Sequence, residues 1–292
     1  MLPSLRRRSR ARLRSQSGAH AGDHLTAVPS CEYTLATPER FNIMPRRRAC
    51  LPVASGRRLC TARICFERGC SLLDCFGDYE ASCPWTGGLR RRGAAVERAY
   101  RPLWEEAPVH AREHPLVNEL VRSVPAHDLR QSDVYIRGLS LGRGLPVVGD
   151  MSMISAIHSD GTQWARAATH DGVAIDRSIA NKHAQYPELV VSQTIEFLVL
   201  AGEEGGRWGP DVFRLVRDLV ALKVAPIHPL LRRSCALGYT RRWWSILAMG
   251  AQTAAVDCVL NQDSPIPVPN GAPPLADIFH WADIAPEPSR IA

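Results

Sequence analysis

The chain has 292 residues, of which 45% are hydrophobic, so it is long and apolar enough to bury a core as one large domain or two small ones. Its formal net charge of +7 is unevenly placed: residues 1–48 hold ten arginines and three acids, whereas the other 244 residues hold 26 basic and 26 acidic residues. The basic excess therefore belongs to the N-terminal segment. The rest of the chain is formally neutral, so its composition does not indicate a broadly basic folded surface.

The N-terminal segment, residues 1–22, carries six arginines and no acid and is expected to be disordered. It could be a nuclear-type basic signal, a transit peptide or upstream sequence without function. A secretory signal would require an apolar run after these charges, and the sequence has none there. The most apolar later stretch, residues 243–260, contains Gln252 and Asp257 and does not read as a membrane span. We therefore expect an intracellular, nuclear protein without a membrane partner.

Composition divides the rest of the chain into four segments. Residues 23–59 alternate short apolar pieces with proline and arginine and are interpreted as a linker. Residues 60–88 are rich in cysteine, and residues 89–260 carry the periodic hydrophobic patterns of a folded domain. Residues 261–292 contain seven prolines and are expected to be disordered.

Hydrophobic periodicity predicts helices and strands in mixed order within residues 89–260. In chain order they are a helix at 89–107, strands at 133–139 and 145–157 joined by a turn at 142–144, a helix at 172–185, a strand at 194–202, a helix at 209–224 and at least one helix within 229–260. This order indicates an α/β or α+β domain in which a small mixed sheet is flanked by helices.

A cluster of cysteines precedes this domain and is the first candidate site. Zinc takes about four nitrogen or sulfur ligands, usually from closely spaced pairs. Cys65 and Cys70 form such a pair, and Cys83 is a distant third ligand. The fourth position is open between Cys75 and Cys60, and ordinary free thiols are the alternative interpretation.

Two acids on neighbouring predicted strands, Asp133 and Asp150, form the second candidate site. Two carboxylates that meet on one sheet can hold Mg²⁺, and such a site hydrolyses phosphodiesters. Asp150 interrupts an apolar strand, where a bare carboxylate would be costly to bury. Spacing alone favours the alternative that Asp150 ends the strand and faces water.

A lysine and a tyrosine four residues apart, Lys182 and Tyr186, share a face of the helix at 172–185 or follow it directly. Lysine is rare in this chain, since only Lys182 and Lys223 occur among 36 basic residues. A lysine close to a metal-bound water can orient the nucleophile, whereas a solvated helix position is the alternative.

Other motifs narrow the choice of function. The run RRWW at 241–244 could stack on bases, but its helical spacing favours core packing for Trp244. No P-loop, nucleophile elbow, dinucleotide fingerprint or aromatic-x-Asp-Asp polymerase motif is present in the sequence. We therefore expect no DNA synthesis by this chain.

Several stretches occur in the order of one known arrangement. GDYEASC (77–83) is followed by TGGLRRRGAAVERAY (86–100), by KHAQYPEL (182–189), by a strand, glycine-rich turn and helix at 195–219, and by RRWWSIL (241–247). This ordered set, which spans roughly residues 21–262, resembles the C-terminal region of non-LTR retrotransposon polyproteins. In that family a zinc knuckle precedes a restriction-like endonuclease of the PD-(D/E)xK type.

The resemblance implies a restriction-endonuclease-like core in which Asp133 and Asp150 bind Mg²⁺ and Lys182 positions the attacking water. Glu203 and Tyr186 would be accessory residues. It further implies a structural zinc ion in the cysteine segment, with Cys65, Cys70, Cys75 and Cys83 as ligands. Arg90, Arg91 and Arg92 would contact phosphate.

The implied activity is the nicking of target DNA to free a 3′-OH that primes reverse transcription, with DNA and possibly the element RNA as partners. Two departures from the family pattern bear on this expectation. Tyr79 stands where the knuckle has histidine, and Ser132 precedes Asp133 where the family has proline or an apolar residue. The alternatives are therefore a non-catalytic relic that binds nucleic acid, or an unstable product without function.

Overall fold

A mixed β-sheet is the centre of the structure, a computed structural model that describes residues 6–51, 53, 76–82, 88–139, 141–158 and 161–260. Within these ranges its strands are β1 (His110–Glu113), β2 (Val134–Arg137), β3 (Val147–Ile154) and β4 (Glu196–Glu203), in the spatial order β1-β2-β3-β4. The first two pairings are antiparallel, and β3 and β4 are parallel.

Helices precede, connect and follow these strands. They are α1 (Arg7–Ser15), α2 (Pro38–Arg48), α3 (Asp78–Ser82), α4 (Gly88–Glu106), α5 (Val117–Leu120), α6 (Val173–Gln185), α7 (Pro187–Val190), α8 (Pro210–Val224) and α9 (Pro229–Leu260). The prediction of a mixed sheet flanked by helices is confirmed, and the boundaries predicted after residue 89 agree closely with these. The polar strand β1 and the helices α1, α2, α3, α5 and α7 were not predicted.

Alternation along the strands assigns each sheet face to a different set of helices. Val147, Met151 and Met153 of β3 point into the main core with α4, α8 and α9. Val148, on the other face, packs in a smaller cluster with Tyr186, beside α6 and α7. Because β3 and β4 are parallel, the chain must cross over between them, and α6 lies within that crossover.

The long helix α9 supplies much of the main core. Gly250 lets it approach α4 closely, since a Cβ on Gly250 would lie 2.3 Å from the Cβ of Ala99. Trp244 is buried, as its helical spacing predicted, and Trp243 is buried too. The indole of Trp243 donates a hydrogen bond of 2.8 Å to the carboxylate of Glu106 on α4. The RRWW tryptophans therefore pack in the core and are not free to stack on bases.

Within the N-terminal segment, Arg7–Ser15 form the packed helix α1 where the composition predicted disorder. Ala11 and Ser15 of α1 are buried, and Ser15 lies against the turn after β4, where a Cβ on Gly205 would come within 2.4 Å of its hydroxyl. The guanidinium of Arg207 donates to the carbonyl oxygen of Arg14 at 2.8 Å. Arg12 pairs with Asp78 of α3. These partners are distant in sequence, so the composition of the segment could not reveal them.

Parts of the sequence-based prediction fall outside the described residues. The proposed zinc ligands Cys65, Cys70, Cys75 and Cys83 and the tail at 261–292 are among them. Among the helices that the structure does describe, none is long and apolar enough to cross a membrane.

A buried ion pair fastens α2 to α9. Arg40 donates two hydrogen bonds to Asp257, at 2.7 and 2.8 Å, and both side chains are almost fully buried. Arg101 and Glu113 form a pair of the same bidentate geometry at the surface. The two pairs differ chiefly in solvation, which makes them a matched comparison.

We expect Asp257→Ala to lower the free energy of unfolding by about 3–5 kcal/mol, because it strips the buried charge of Arg40 of its carboxylate. Glu113→Ala should cost at most about 1 kcal/mol, since that pair is solvated. Chemical denaturation of the two variants measures both values. The double replacement Arg40→Met with Asp257→Leu should recover most of the loss; equal losses in the two single variants would contradict the argument.

Candidate functional site

The carboxylate of Asp150 lies in the middle of β3, and the residue is 2% exposed. Its side chain points to the same face of the sheet as those of Val148 and Ser152, towards α6. A carboxylate in this position must be compensated by hydrogen bonds or by a cation. Its surroundings therefore decide what it can do.

Asp133 is the cross-strand neighbour of Asp150. Val134 of β2 pairs with Gly149 of β3 in the antiparallel register. Asp133, which directly precedes Val134, therefore lies opposite Asp150, which directly follows Gly149. Such neighbours have Cβ atoms about 4.5–5.5 Å apart. The backbone N–H of Met151 donates to Oδ2 of Asp133, which fixes that carboxylate beside β3. Asp133, unlike Asp150, is partly exposed.

Lys182 reaches this pair from α6, and its ammonium group forms an ion pair with Oδ2 of Asp150. One turn earlier, the hydroxyl of Ser178 donates to the hydroxyl of Ser152 at 2.7 Å. Residues four apart on α6 thus contact residues two apart on β3. This matched spacing sets the register of α6 on the sheet and holds Lys182 over the carboxylates.

Tyr186 closes the site at the end of α6 and is itself buried. Its hydroxyl donates to the carbonyl oxygen of Gln131 at 2.7 Å and accepts from the side-chain amide of Gln185 at 3.0 Å. The ammonium nitrogen of Lys182 lies 5.9 Å from the centre of its ring, within the range of a cation–π contact. Tyr186 therefore packs against Lys182 and ties the helix to the residues before Asp133.

Burial, reinforced by the nearby charge of Asp133, raises the pKa of Asp150 to about 6. Lys182 and Tyr186 oppose this rise. Burial also raises the pKa of Asp133, and the N–H of Met151 opposes that shift. At Asp150, withdrawal from water is the larger effect and repulsion by the charge of Asp133 the smaller one.

Two polar side chains that the sequence did not single out, those of His114 and Glu97, lie close to Asp133. The backbone N–H of His114, just after β1, donates to the carbonyl oxygen of Asp133 at 3.0 Å. Its Nε2 is 3.9 Å from a carboxylate oxygen of Glu97 on α4. The charge of Glu97 raises the pKa of Asp133 and that of His114 lowers it. The sequence did not mark either residue. His114 follows the polar strand β1, and Glu97 lies close to buried core residues of α4.

The structure does not bring Glu203 to this site. Glu203 pairs with Ile154, four residues beyond Asp150 on β3, which corresponds to roughly 13 Å along the strand. Burial raises its pKa, while hydrogen bonds from Ser15 and from the backbone of Ala174 lower it. The expectation of an accessory acid is therefore wrong for Glu203, whose carboxylate holds the start of α6 and the end of α1 instead.

The arginines expected to contact phosphate begin α4. Arg92 is buried and bonds to the carboxylate of Glu204, so the expectation of a phosphate contact is wrong for this residue. The side chains of Arg90 and Arg91 lie outside the described part of the structure. Arg92 could not be assigned correctly from sequence because Glu204 is 112 residues away.

In the described residues, a metal site of three or more side chains would require metal-binding groups to cluster. Within those ranges no three histidine, cysteine, aspartate or glutamate side chains converge in a way that could hold a metal ion. Asp133 and Asp150 remain as a pair of carboxylates with a lysine beside them.

Comparison with known proteins adds no assignment: no protein-family model matches the chain, and a search of curated proteins finds no match.

The raised pKa of Asp150 makes stability depend on pH. Between about pH 4 and pH 6 the folded chain keeps a proton that the unfolded chain has released, so the free energy of unfolding falls as the pH rises through this window. Asparagine cannot ionise, so Asp150→Asn should abolish this fall in the free energy of unfolding, which is on the order of 2 kcal/mol. Denaturation at pH 4.5 and 7, with a chelator present, measures it.

The control for this comparison is Asp176→Asn, which alters an exposed position on the same helix as Lys182. It should keep the pH dependence of the unaltered protein. If Asp150→Asn showed the same pH dependence as this control, the buried carboxylate of Asp150 would be refuted as its cause.

Proposed function

We propose that the chain is a metal-dependent DNA endonuclease domain with a restriction-endonuclease-like core. The observation that carries the proposal is the convergence of Asp133 directly before β2, Asp150 on the adjacent strand β3 and Lys182 on the crossover helix. Two carboxylates on one sheet face with a lysine above them are groups that metal-dependent phosphodiester hydrolysis can use. The order of motifs resembling the retrotransposon endonucleases selected the same residues.

The donor set suits a magnesium ion. Mg²⁺ is usually held by one or two carboxylates and completes its coordination with water and with phosphate oxygens of the substrate. Asp133 and Asp150 would hold it, and Asp133, the more exposed of the two residues, would lie on the side of the substrate. When bound, the metal would supply an activated water and neutralise charge on the scissile phosphate.

The protein's own groups have distinct roles in this proposal. Lys182 keeps Asp150 ionised against the effect of burial, and its ammonium is available to orient the attacking water or to bind a phosphate oxygen. Tyr186 positions Lys182 through the ring contact and anchors the end of α6. Ser152 and Ser178 keep the helix in register.

The ancestral reaction would be the nicking of one DNA strand, which leaves a 3′-OH to prime reverse transcription in the nucleus. DNA is then the substrate and element RNA a further partner. A zinc ion bound by Cys65, Cys70, Cys75 and Cys83 and phosphate contacts from Arg90 and Arg91 belong to the same proposal.

A second candidate function is a nucleic-acid-binding relic without catalysis. The specific observation that favours it is the burial of Asp150, whose ion pair with Lys182 already satisfies both charges. Under this alternative the pair is structural, and binding of DNA would depend on salt but not on Mg²⁺.

We expect the full chain to nick supercoiled plasmid with Mg²⁺ and not with EDTA. Asp150→Asn and Asp133→Asn should each lower the rate at least ~100-fold, because each removes a charged metal ligand. Lys182→Met should lower it by about 10²–10⁴-fold, as loss of a general acid–base group does. Conversion of supercoiled to open-circular DNA, followed on gels, measures these rates.

The control is Asp176→Asn, which should nick at the rate of the unaltered chain. Filter binding of the same plasmid should be nearly equal for all these proteins, so that loss of cleavage is not loss of binding. Salt-sensitive binding with no Mg²⁺-dependent nicking by any of them would select the relic and refute the enzyme.

A further inference from the structure

A small polar cavity lies away from the acid pair, at the junction of the N-terminal helices with the sheet. Its volume is about 50 Å³, and Arg12 of α1, Arg48 of α2, Ser155 just after β3 and Gln252 of α9 are among the residues that line it. A buried water needs roughly 10–15 Å³, so this space holds about four waters or the four oxygens of one tetrahedral oxyanion.

Among the described residues that line this cavity, arginine side chains outnumber carboxylates. Among the described residues, its carboxylates are Asp78 and Glu204. Asp78 is paired with Arg8 and Arg12, and Glu204 is paired with Arg47 and Arg92. Each of these two carboxylates is therefore shared by two guanidinium groups.

Arg48 adds a fifth guanidinium, and its hydrogen bonds in the structure go to carbonyl oxygens. It donates to Ala21 at 3.0 Å and to Gln16 at 3.4 Å. Burial lowers its pKa, and no carboxylate offsets that shift. Its charge also acts on its surroundings: burial, together with the charge of Arg48, lowers the pKa of the nearby His24 to about 4.

The neutral donors of the cavity are well placed to complete an anion site. Gln252 and Ser155 are both more than nine-tenths buried. Gln252 donates one amide hydrogen to the carbonyl oxygen of Glu204, which leaves its second amide hydrogen for a ligand. The hydroxyl of Ser155 accepts from the N–H of Ile157 and can donate its own proton.

We propose that this cavity binds a single phosphate group, as inorganic phosphate or as a terminal phosphomonoester. A surplus of guanidinium charge that is partly withdrawn from water is costly unless an anion neutralises it. Guanidinium groups bind phosphate oxygens through paired N–H donors. The lining donors come from four separate elements, which suits a tetrahedral anion better than a planar carboxylate. The site is independent of the acid pair and of the proposed nuclease activity.

Thermal unfolding of the full chain in potassium phosphate, against potassium chloride of equal ionic strength, tests the site. A bound ligand raises Tm in a saturable way. We expect such a rise with phosphate, and an apparent Kd at least tenfold weaker in Arg48→Met. The matched control is Arg217→Met, which removes a solvent-exposed arginine and should leave the Kd unchanged.

Two further arms complete the experiment. A dinucleotide with a 5′-phosphate, compared with the same dinucleotide lacking it, distinguishes a terminal nucleic-acid phosphate from the free ion as the preferred source. Gln252→Met provides the same titration should Arg48→Met fail to fold. A Tm that phosphate and chloride raise equally, or a phosphate effect that both cavity variants retain in full, would overturn the proposal.

Discussion

The carboxylate of Asp150 in the middle of β3 is the constraint on which the candidate site depends. A strand with no other charged residue carries a carboxylate where water is excluded, and this charge requires a cation close by. Lys182 meets the requirement from α6, and the contact between Ser178 and Ser152 repeats the attachment one turn earlier. The same interaction therefore holds the crossover helix on the sheet and assembles the site.

Arginine–carboxylate pairs perform a similar task at the edge of the sheet. Asp78 and Glu204 each bind two arginines: the pairs of Asp78 join α1 to α3, and the pairs of Glu204 join α2 and α4 to the turn after β4. The N-terminal helix α1 buries only small side chains, those of Ala11 and Ser15. Charged contacts rather than a hydrophobic stripe place the N-terminal segment, and they leave a polar cavity among them.

The two proposals have different physical bases. The nuclease site rests on carboxylates whose proton affinity is raised by burial and offset by one lysine. The phosphate site rests on guanidinium groups in excess of the carboxylates that they surround. The two sites share no residue, so a substitution in one leaves the side chains of the other unaltered.

Hydrophobic periodicity predicted the longer helices and strands after residue 89 in their correct order, since it reports which face of an element is buried. It missed β1, whose four residues are polar or small and all exposed. The residues Asp133, Asp150, Lys182 and Tyr186 could also be selected without a structure, because an acid inside an apolar strand and a rare lysine are visible in the sequence. Their meeting at one place depends on the strand register and on the crossover helix, which no local pattern reports. Tertiary contacts likewise make Glu203 and Arg92 packing residues and turn an arginine-rich segment into a helix. The reason is physical: the charge partners of these residues are far away in sequence, and sequence patterns report local burial but not the partners that folding brings together.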